Sequence, residues 1–217
     1  MKSLDDLSGV FTERGNLYTR SLCPGRRIYG ERIVTFEGHE YREWSPRRSK
    51  LSAYLTNGGR TLPFKEDSHV LYLGASSGTT ASHIADVCNE GSLICVEISA
   101  RMFRDLVPVC ETRTNMMPIL GDATRPDDYG FVSDRIDVVY QDVAQKHQAK
   151  IIADNVDAVG AKFGMVAIKS RSEDVTASPE RIFRESEEIL KSRGYKILDS
   201  LTLDPYEKDH AMIVFEV

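Results

Sequence analysis

The chain has 217 residues, 41% of them apolar and 28% charged, the composition of a globular protein long enough to bury a full core. Its net charge of −5 excludes a generally basic nucleic-acid binder. No apolar run approaches the roughly 18 residues that a membrane-spanning helix needs.

Taken in order, Met1-Lys2-Ser3-Leu4-Asp5-Asp6 lacks the apolar core of a signal peptide, so an intracellular, cytoplasmic location is expected. Val10-Phe11-Thr12-Glu13 and Asn16-Leu17-Tyr18-Thr19-Arg20 flank Arg14-Gly15, and Arg32-Ile33-Val34-Thr35-Phe36 and Glu40-Tyr41-Arg42-Glu43-Trp44 flank Glu37-Gly38-His39. Short β-rich runs around turn residues predict hairpins. Residues 1–44 therefore form a small antiparallel β-domain, too small to stand without packing on the rest of the chain, and residues 45–217 form a second domain.

Ser45 to Leu55 is predicted as a helix with Pro46 near its first turn and Gly58-Gly59 beyond its end. Leu51, Tyr54 and Leu55 give it an apolar face, leaving Arg47, Arg48 and Lys50 for solvent or a ligand. Charge supports the second option. Residues 1–60 hold 11 Lys+Arg against 7 Asp+Glu, the rest 17 against 26, and the basic excess is densest from Arg42 to Lys50. That is the place to look for phosphate contacts, with a merely solvated charged face as the other reading.

The second domain is organised around Val70-Leu71-Tyr72-Leu73-Gly74-Ala75-Ser76-Ser77-Gly78-Thr79-Thr80, a strand feeding a glycine turn and then a helix. Such a corner offers bare backbone to a nucleotide-like ligand, although a glycine corner also serves plain packing. Its glycines fall at i and i+4 with no lysine after them, which excludes both the dinucleotide fingerprint and the P-loop. Ala81, Ile84, Ala85 and Cys88 continue as a helical stripe. Leu93 to Glu97 is a second strand ending in a carboxylate at the spacing where such folds hold a ribose diol. Met102, Phe103, Leu106 and Cys110 form the next helix after Ser99, with Pro108 expected to bend or restart it.

Met117 to Gly121 leads to Asp122-Ala123, and Ile136 to Gln141 leads to Asp142-Val143-Ala144-Gln145. Ala149 to Val159 is helical, Phe163 to Ile168 is a strand ending in Lys169-Ser170-Arg171-Ser172, and Ser178-Pro179-Glu180 starts a helix that Gly194 stops. Two strands close the chain, Tyr195 to Leu203 and Ala211 to Val217. The connection between them is too short for a parallel crossover, so the last strand runs antiparallel and brings His210 to the edge of the other strand ends. The four cysteines, Cys23, Cys88, Cys95 and Cys110, have no C-x-x-C spacing and are expected as free thiols, with no metal site.

The strand tips thus gather Glu97, Asp122, Asp142, Gln145, Lys169 and His210 at one cleft, with Lys50 beside them if its helix packs on the first strand. The fold class is α/β: a mostly parallel, seven-stranded, Rossmann-like sheet with an antiparallel last strand. That is the architecture of class I S-adenosylmethionine-dependent methyltransferases. On that reading Glu97 takes ribose hydroxyls, Asp122 an adenine amine, and the turn from Gly74 to Thr80 the methionine end. A lysine ending an apolar strand beside an aspartate is either a structural ion pair or the pair that steadies a developing oxyanion and takes its proton. Two rivals stand beside the enzyme reading. They are a nucleotide-dependent oxidoreductase and a catalytically silent RNA-assembly subunit.

Tyr72-Leu73-Gly74-Ala75-Ser76-Ser77-Gly78-Thr79-Thr80, Asp142-Val143-Ala144-Gln145, Ile168-Lys169-Ser170-Arg171-Ser172 and Pro205-Tyr206-Glu207-Lys208-Asp209-His210-Ala211 resemble the fibrillarin family. Trp44-Ser45-Pro46-Arg47-Arg48-Ser49-Lys50-Leu51 extends the match upstream. No glycine/arginine-rich tail is present, so the likeness is to the archaeal, fibrillarin-like form. The resemblance implies guide-directed 2′-O-methylation of ribose in rRNA and tRNA with S-adenosyl-L-methionine. It also implies a ribonucleoprotein holding a box C/D guide RNA, a Nop-domain scaffold protein and a kink-turn-binding protein. The family's catalytic set carries onto Lys50, Asp142, Lys169 and His210. Its cofactor contacts carry onto Thr79, Thr80, Glu97, Ile98, Asp122, Ala123 and the run Asp142, Val143, Ala144, Gln145, and join Gly74, Ala75, Ser76 and Gly78 of the turn already read as a cofactor site. RNA contacts are expected from Arg47, Arg48, Lys50 and Arg171. Two positions depart from the family pattern: Ile98, where an aromatic is common, and Lys146-His147, where Pro-Thr is expected.

Overall fold

A computed structural model describes residues 1–4, 7–132 and 135–217; Asp5 and Asp6, at the end of the segment read for a leader, lie outside them. Five short strands, β1 (Lys2–Ser3), β2 (Val10–Glu13), β3 (Asn16–Arg20), β4 (Ile33–Phe36) and β5 (His39–Glu43), form an antiparallel sheet in the order β1-β2-β3-β5-β4. Both hairpins turn on two residues with positive φ, Arg14-Gly15 and Glu37-Gly38, the geometry that matches strand twist. The second hairpin is therefore one residue tighter than expected, and His39 belongs to the strand. The added strand β1 pairs only Lys2 with Thr12 and Ser3 with Phe11, too short a run to leave a periodic signal.

The second sheet holds β6 (His69–Leu73), β7 (Ser92–Glu97), β8 (Met116–Leu120), β9 (Val138–Gln141), β10 (Phe163–Lys169), β11 (Lys196–Thr202) and β12 (His210–Glu216) in the order β11-β12-β10-β9-β6-β7-β8. The pairs within β10-β9-β6-β7-β8 are parallel, and β12 is antiparallel to both of its neighbours. Strand order reverses between β6 and β9, so a crevice opens beyond their carboxyl ends. Gly74 and Asp142 follow those two ends directly.

The helices are α1 (Lys50–Thr56), α2 (Thr79–Val87), α3 (Ala100–Glu111), α4 (Gln148–Val159), α5 (Ser170–Glu173) and α6 (Pro179–Ser192). Residues of α1, α2 and α3 such as Tyr54, Ile84 and Leu106 share one apolar core with Val70, Tyr72 and Tyr140 of the sheet. Residues of α4 and α6, among them Ile152, Val156, Ile182 and Leu190, form the other. Leu7, Val10, Leu17 and Trp44 join the first core, which is how the small sheet obtains the packing it lacks alone.

Three local expectations are corrected. The helix predicted from Ser45 begins at Lys50, because Ser49 is extended (φ −151, ψ 119) and its hydroxyl accepts from the Ser52 N–H, the N-cap geometry. Arg47 and Arg48 therefore sit on an exposed turn ahead of the helix. Helix α3 runs through Pro108 without restarting. Pro108 is exposed, as is Arg104 one turn before it, so the carbonyl left without its N–H faces water. The stretch after Lys169, read as a strand tail, closes into the single turn α5, with Asp174 N–H donating to Ser170 O. One turn is too short for hydrophobic periodicity.

Arg42, counted with the basic stretch, is no phosphate ligand. Its guanidinium is fully buried and pairs at 2.7 Å with both Glu31 and Asp86. Arg113 of the α3–β8 connection reaches Asp86 from the other side at 3.7 Å, and Thr19 donates to Asp86 at 2.9 Å. This dry ionic cluster pins β3 and β5 to α2.

Candidate active site

The turn after β6 is shaped by steric demand. Gly74 has φ 81, and a Cβ there would lie 2.8 Å from the Asp142 carbonyl, so only glycine lets the two strand ends meet. Ser76 also takes a positive φ of 50, which aims its N–H at Glu97 Oε2, 2.7 Å away. Ser99 N–H donates to Oε1 of the same carboxylate at 2.8 Å. Glu97 is thereby fixed at the tip of β7 with its remaining lone pairs turned to the crevice. Gly78, also left-handed at φ 87, caps α2, and a Cβ there would meet Leu106 and Val109, so conformation and packing together set its place, and it lines neither of the cavities over the turn.

Two cavities meet over this turn. The first is walled by Gly74, Ser76, Val96, Glu97, Ile98, Met102, Gly121, Ala123, Asp142, Val143, Ala144, Gln145 and Lys169. The second is lined by Arg47, Arg48, Lys50, Tyr72, Ala75, Ser77, Thr79, Thr80 and Glu207, and shares Gly74, Ser76, Met102, Asp142 and Lys169 with the first. Burial, reinforced by the charge of Asp142, raises the Tyr72 hydroxyl pKa well above its usual value, so it stays protonated.

Asp142 and Lys169 stand in the shared wall. Lys169 Nζ lies 2.8 Å from Asp142 Oδ1 and donates to the Asp142 carbonyl at 3.1 Å, while Lys50 Nζ donates to Oδ2 at 3.2 Å. The three side chains are 14–16% exposed. One carboxylate between two ammoniums leaves a unit of positive charge in a poorly hydrated place, where it attracts an anion strongly.

Asp122 lines neither cavity. Its carboxyl accepts from the Thr124 N–H and is held below the usual carboxylate range by that bond, with the Gln145 side chain adding to it. Gln145 Oε1 is buried without a partner among the described residues, an acceptor left for a ligand. His210 reaches the edge as expected, opposite Lys169 in the β10–β12 ladder. Its Nδ1 lies 2.6 Å from the Lys208 carbonyl, and it lines neither cavity. Arg171 pairs with Asp209 at 3.0 Å and donates to the Val175 carbonyl. Met102 and Glu207 are among the lining residues that lay outside the predicted site. Met102 was assigned to the core stripe, and its signal was its place in the first turn after Ser99, at the strand-tip end of α3. Glu207 lies three residues before His210, in the loop that carries it to the same edge.

A parallel sheet with a reversed last strand, a glycine corner at its switch point and a carboxylate at the next strand tip defines a Rossmann-like, class I methyltransferase fold. Within that class, the chain belongs to the fibrillarin family, whose profile matches residues 1–217. It is 51% identical over 201 residues to the fibrillarin-like rRNA/tRNA 2'-O-methyltransferase of Methanopyrus kandleri, covering 91% of this chain and 87% of that one. Among solved structures it superposes on Aeropyrum pernix fibrillarin in complex with natively bound S-adenosyl-L-methionine with a TM-score of 0.89 at 42% identity, over 99% of this chain and 96% of the other. A fibrillarin/Nop5p complex matches with a TM-score of 0.87 at 38% identity and 99% coverage of both chains.

Proposed function

We propose that this chain is the S-adenosylmethionine-dependent 2′-O-methyltransferase subunit of a box C/D ribonucleoprotein, acting on ribose in rRNA and tRNA. The observation that carries the reading is the Lys169–Asp142 pair in the wall common to a mostly apolar cavity and a basic one. A methyl donor on one side and a nucleotide on the other would meet there.

The residues fit the cofactor. Glu97 would take the ribose diol, and Asp122, set between the lining residues Gly121 and Ala123, the adenine amine. Ile98, Ala123 and Val143 give apolar walls for the base, and Gln145 Oε1 supplies an unused acceptor. The backbone from Gly74 to Gly78, with Thr79 and Thr80, would hold the methionine end. Ile98 is 56% exposed and covers this side without an aromatic ring. The bound cofactor supplies a methyl group already activated for transfer.

What remains for the protein is alignment and charge. The Lys169 ammonium lies where it would lower the cost of ionising a ribose hydroxyl and steady the oxygen as it becomes anionic. Asp142 holds that ammonium and offers a carboxylate for the proton. Lys50 keeps the surplus charge positive. His210, beside Lys169 in the ladder, would orient the incoming ribose from the open side. Arg47 and Arg48 are exposed at the mouth of the second cavity and would contact phosphate, with Arg171 further along the edge. So few phosphate contacts on an acidic chain give weak affinity for RNA. Target choice therefore falls to a guide RNA, held by a Nop-domain scaffold and a kink-turn-binding protein, in the cytoplasm. Among the described residues no helix is long and apolar enough to cross a membrane.

The test is methyl transfer from labelled S-adenosylmethionine in a reconstituted guide particle. Transfer to the guide-selected ribose supports the reading, and site-specific transfer by the isolated chain without guide or scaffold refutes it. Calorimetry separates the oxidoreductase rival, since binding of NAD in place of S-adenosylmethionine would favour it.

A further inference from the structure

Strands β9 and β10 pair only as far as Gln141 opposite Val166, so Ile168 and Lys169 run on past the end of the shorter strand. On their other side β12 continues, with Lys169 opposite His210. The unpaired side is closed by Gln148, the fully buried first residue of α4. Its Oε1 accepts from the Lys169 N–H at 2.9 Å, and its Nε2 donates to the Lys169 carbonyl at 3.1 Å. A carboxamide carries the donor and acceptor of a peptide group, so this side chain replaces one residue of the missing strand.

The replacement is itself held on every side. Glu173 Oε1 accepts from Gln148 N–H at 2.6 Å and from its Nε2 at 3.1 Å, and Oε2 accepts from His147 N–H at 2.8 Å. Gln141 Nε2 donates to the Gln148 carbonyl at 2.8 Å, which ties the base of α4 to the last residue of β9, directly before Asp142. A glutamine serving only to start α4 would need contacts with the helix and Glu173. This one also bonds both backbone groups of Lys169.

We infer that Gln148 is a positioning residue for methyl transfer, fixing the backbone of Lys169 so that its ammonium stays on Asp142. This rests on the reading of Lys169 as the group that steadies the oxyanion. The ammonium is tied to Asp142 at its far end, and the backbone clamp removes the freedom left at the near end. Because Gln148 lines neither cavity, its removal should spare cofactor binding and slow the chemical step.

The experiment compares wild type, Gln148→Met and Gln148→Glu in the assembled guide particle. It measures single-turnover methylation at saturating S-adenosylmethionine, with cofactor affinity by calorimetry and melting temperature on the same preparations. Gln148→Met keeps length but neither hydrogen bond, and the rate should fall about 10- to 100-fold with cofactor affinity within about twofold of wild type. Gln148→Glu keeps the acceptor for the Lys169 N–H but sets a carboxylate oxygen against Glu173 Oε1 and the Lys169 carbonyl, so its rate should fall at least as far. A wild-type rate in folded Gln148→Met overturns the inference, as does a loss that appears only as weaker cofactor binding. Should Gln148→Met fail to fold, Gln148→Glu decides alone: a slower step at unchanged cofactor affinity supports the clamp, and an unchanged rate overturns it. Absence of methylation by wild type, or an undiminished rate in Lys169→Met, would instead sink the underlying reading of the site.

Discussion

Two of the ionic clusters among the described residues differ in balance and access. At the junction of the two sheets, Arg42 and Arg113 face Glu31 and Asp86 with side chains fully out of water. At the strand tips, Lys50 and Lys169 share the single carboxylate of Asp142 in the wall of two cavities. The first has two cations for two anions and no room for a ligand, so its charges are spent on each other. The second keeps one charge uncompensated and reachable. Burial alone does not mark a functional charge; surplus and access do.

The comparison breaks most sharply at Asp86. Removing it leaves two buried guanidiniums with Glu31 alone, and Asp86→Ala should cost about 3–5 kcal/mol in denaturant unfolding while leaving the strand-tip geometry of the folded fraction intact. A cost near that of a surface ion pair would show that water reaches the cluster.

Lys169→Met should act in the opposite way. Loss of one group that steadies developing charge typically slows a step about 10²- to 10³-fold, whereas Lys50 remains to balance Asp142, so the melting temperature should hold. A large drop in stability with little change in rate would make the strand-tip cluster a second structural one.

Gly74→Ala lies between these extremes. The new Cβ, 2.8 Å from the Asp142 carbonyl at a backbone φ of 81, forces a shift worth about 1–2 kcal/mol of stability. That shift moves Asp142 itself, so calorimetry should also show weaker binding of S-adenosylmethionine. Weakened stability with undisturbed cofactor affinity would separate the turn from the site.

The smallest effect is pH dependence at the junction. His83 lies within 2.7 Å of Thr19 Oγ1 and stacks on Trp44. Burial, with the guanidiniums of Arg42 and Arg113, holds its pKa well below the usual value. The unfolded chain therefore binds a proton near about pH 6.5 that the folded protein refuses, so this group costs stability as pH falls below that point and nothing above it. Melting temperature should decline on acidification from about pH 7 to about pH 5.5, and His83→Gln should flatten the decline. An equal slope in the variant would assign the effect to other groups.

Sequence by itself determined the order of the elements apart from β1 and the single turn α5, the antiparallel last strand, and the arrival of Asp142 and Lys169 at one edge. Strand periodicity, glycine corners and a connection too short for a crossover are local properties, written in neighbouring residues. Tertiary structure alone decided which charges were free. Arg42 and Lys50 belong to one basic stretch, yet β5 turns Arg42 inward onto Asp86 of α2, while the Ser49 cap starts α1 where Lys50 reaches Asp142. The same holds for Gln148, whose role depends on β9 ending before β10 does. Whether a charge or an amide finds a partner depends on residues distant in the chain, and no local pattern records that meeting.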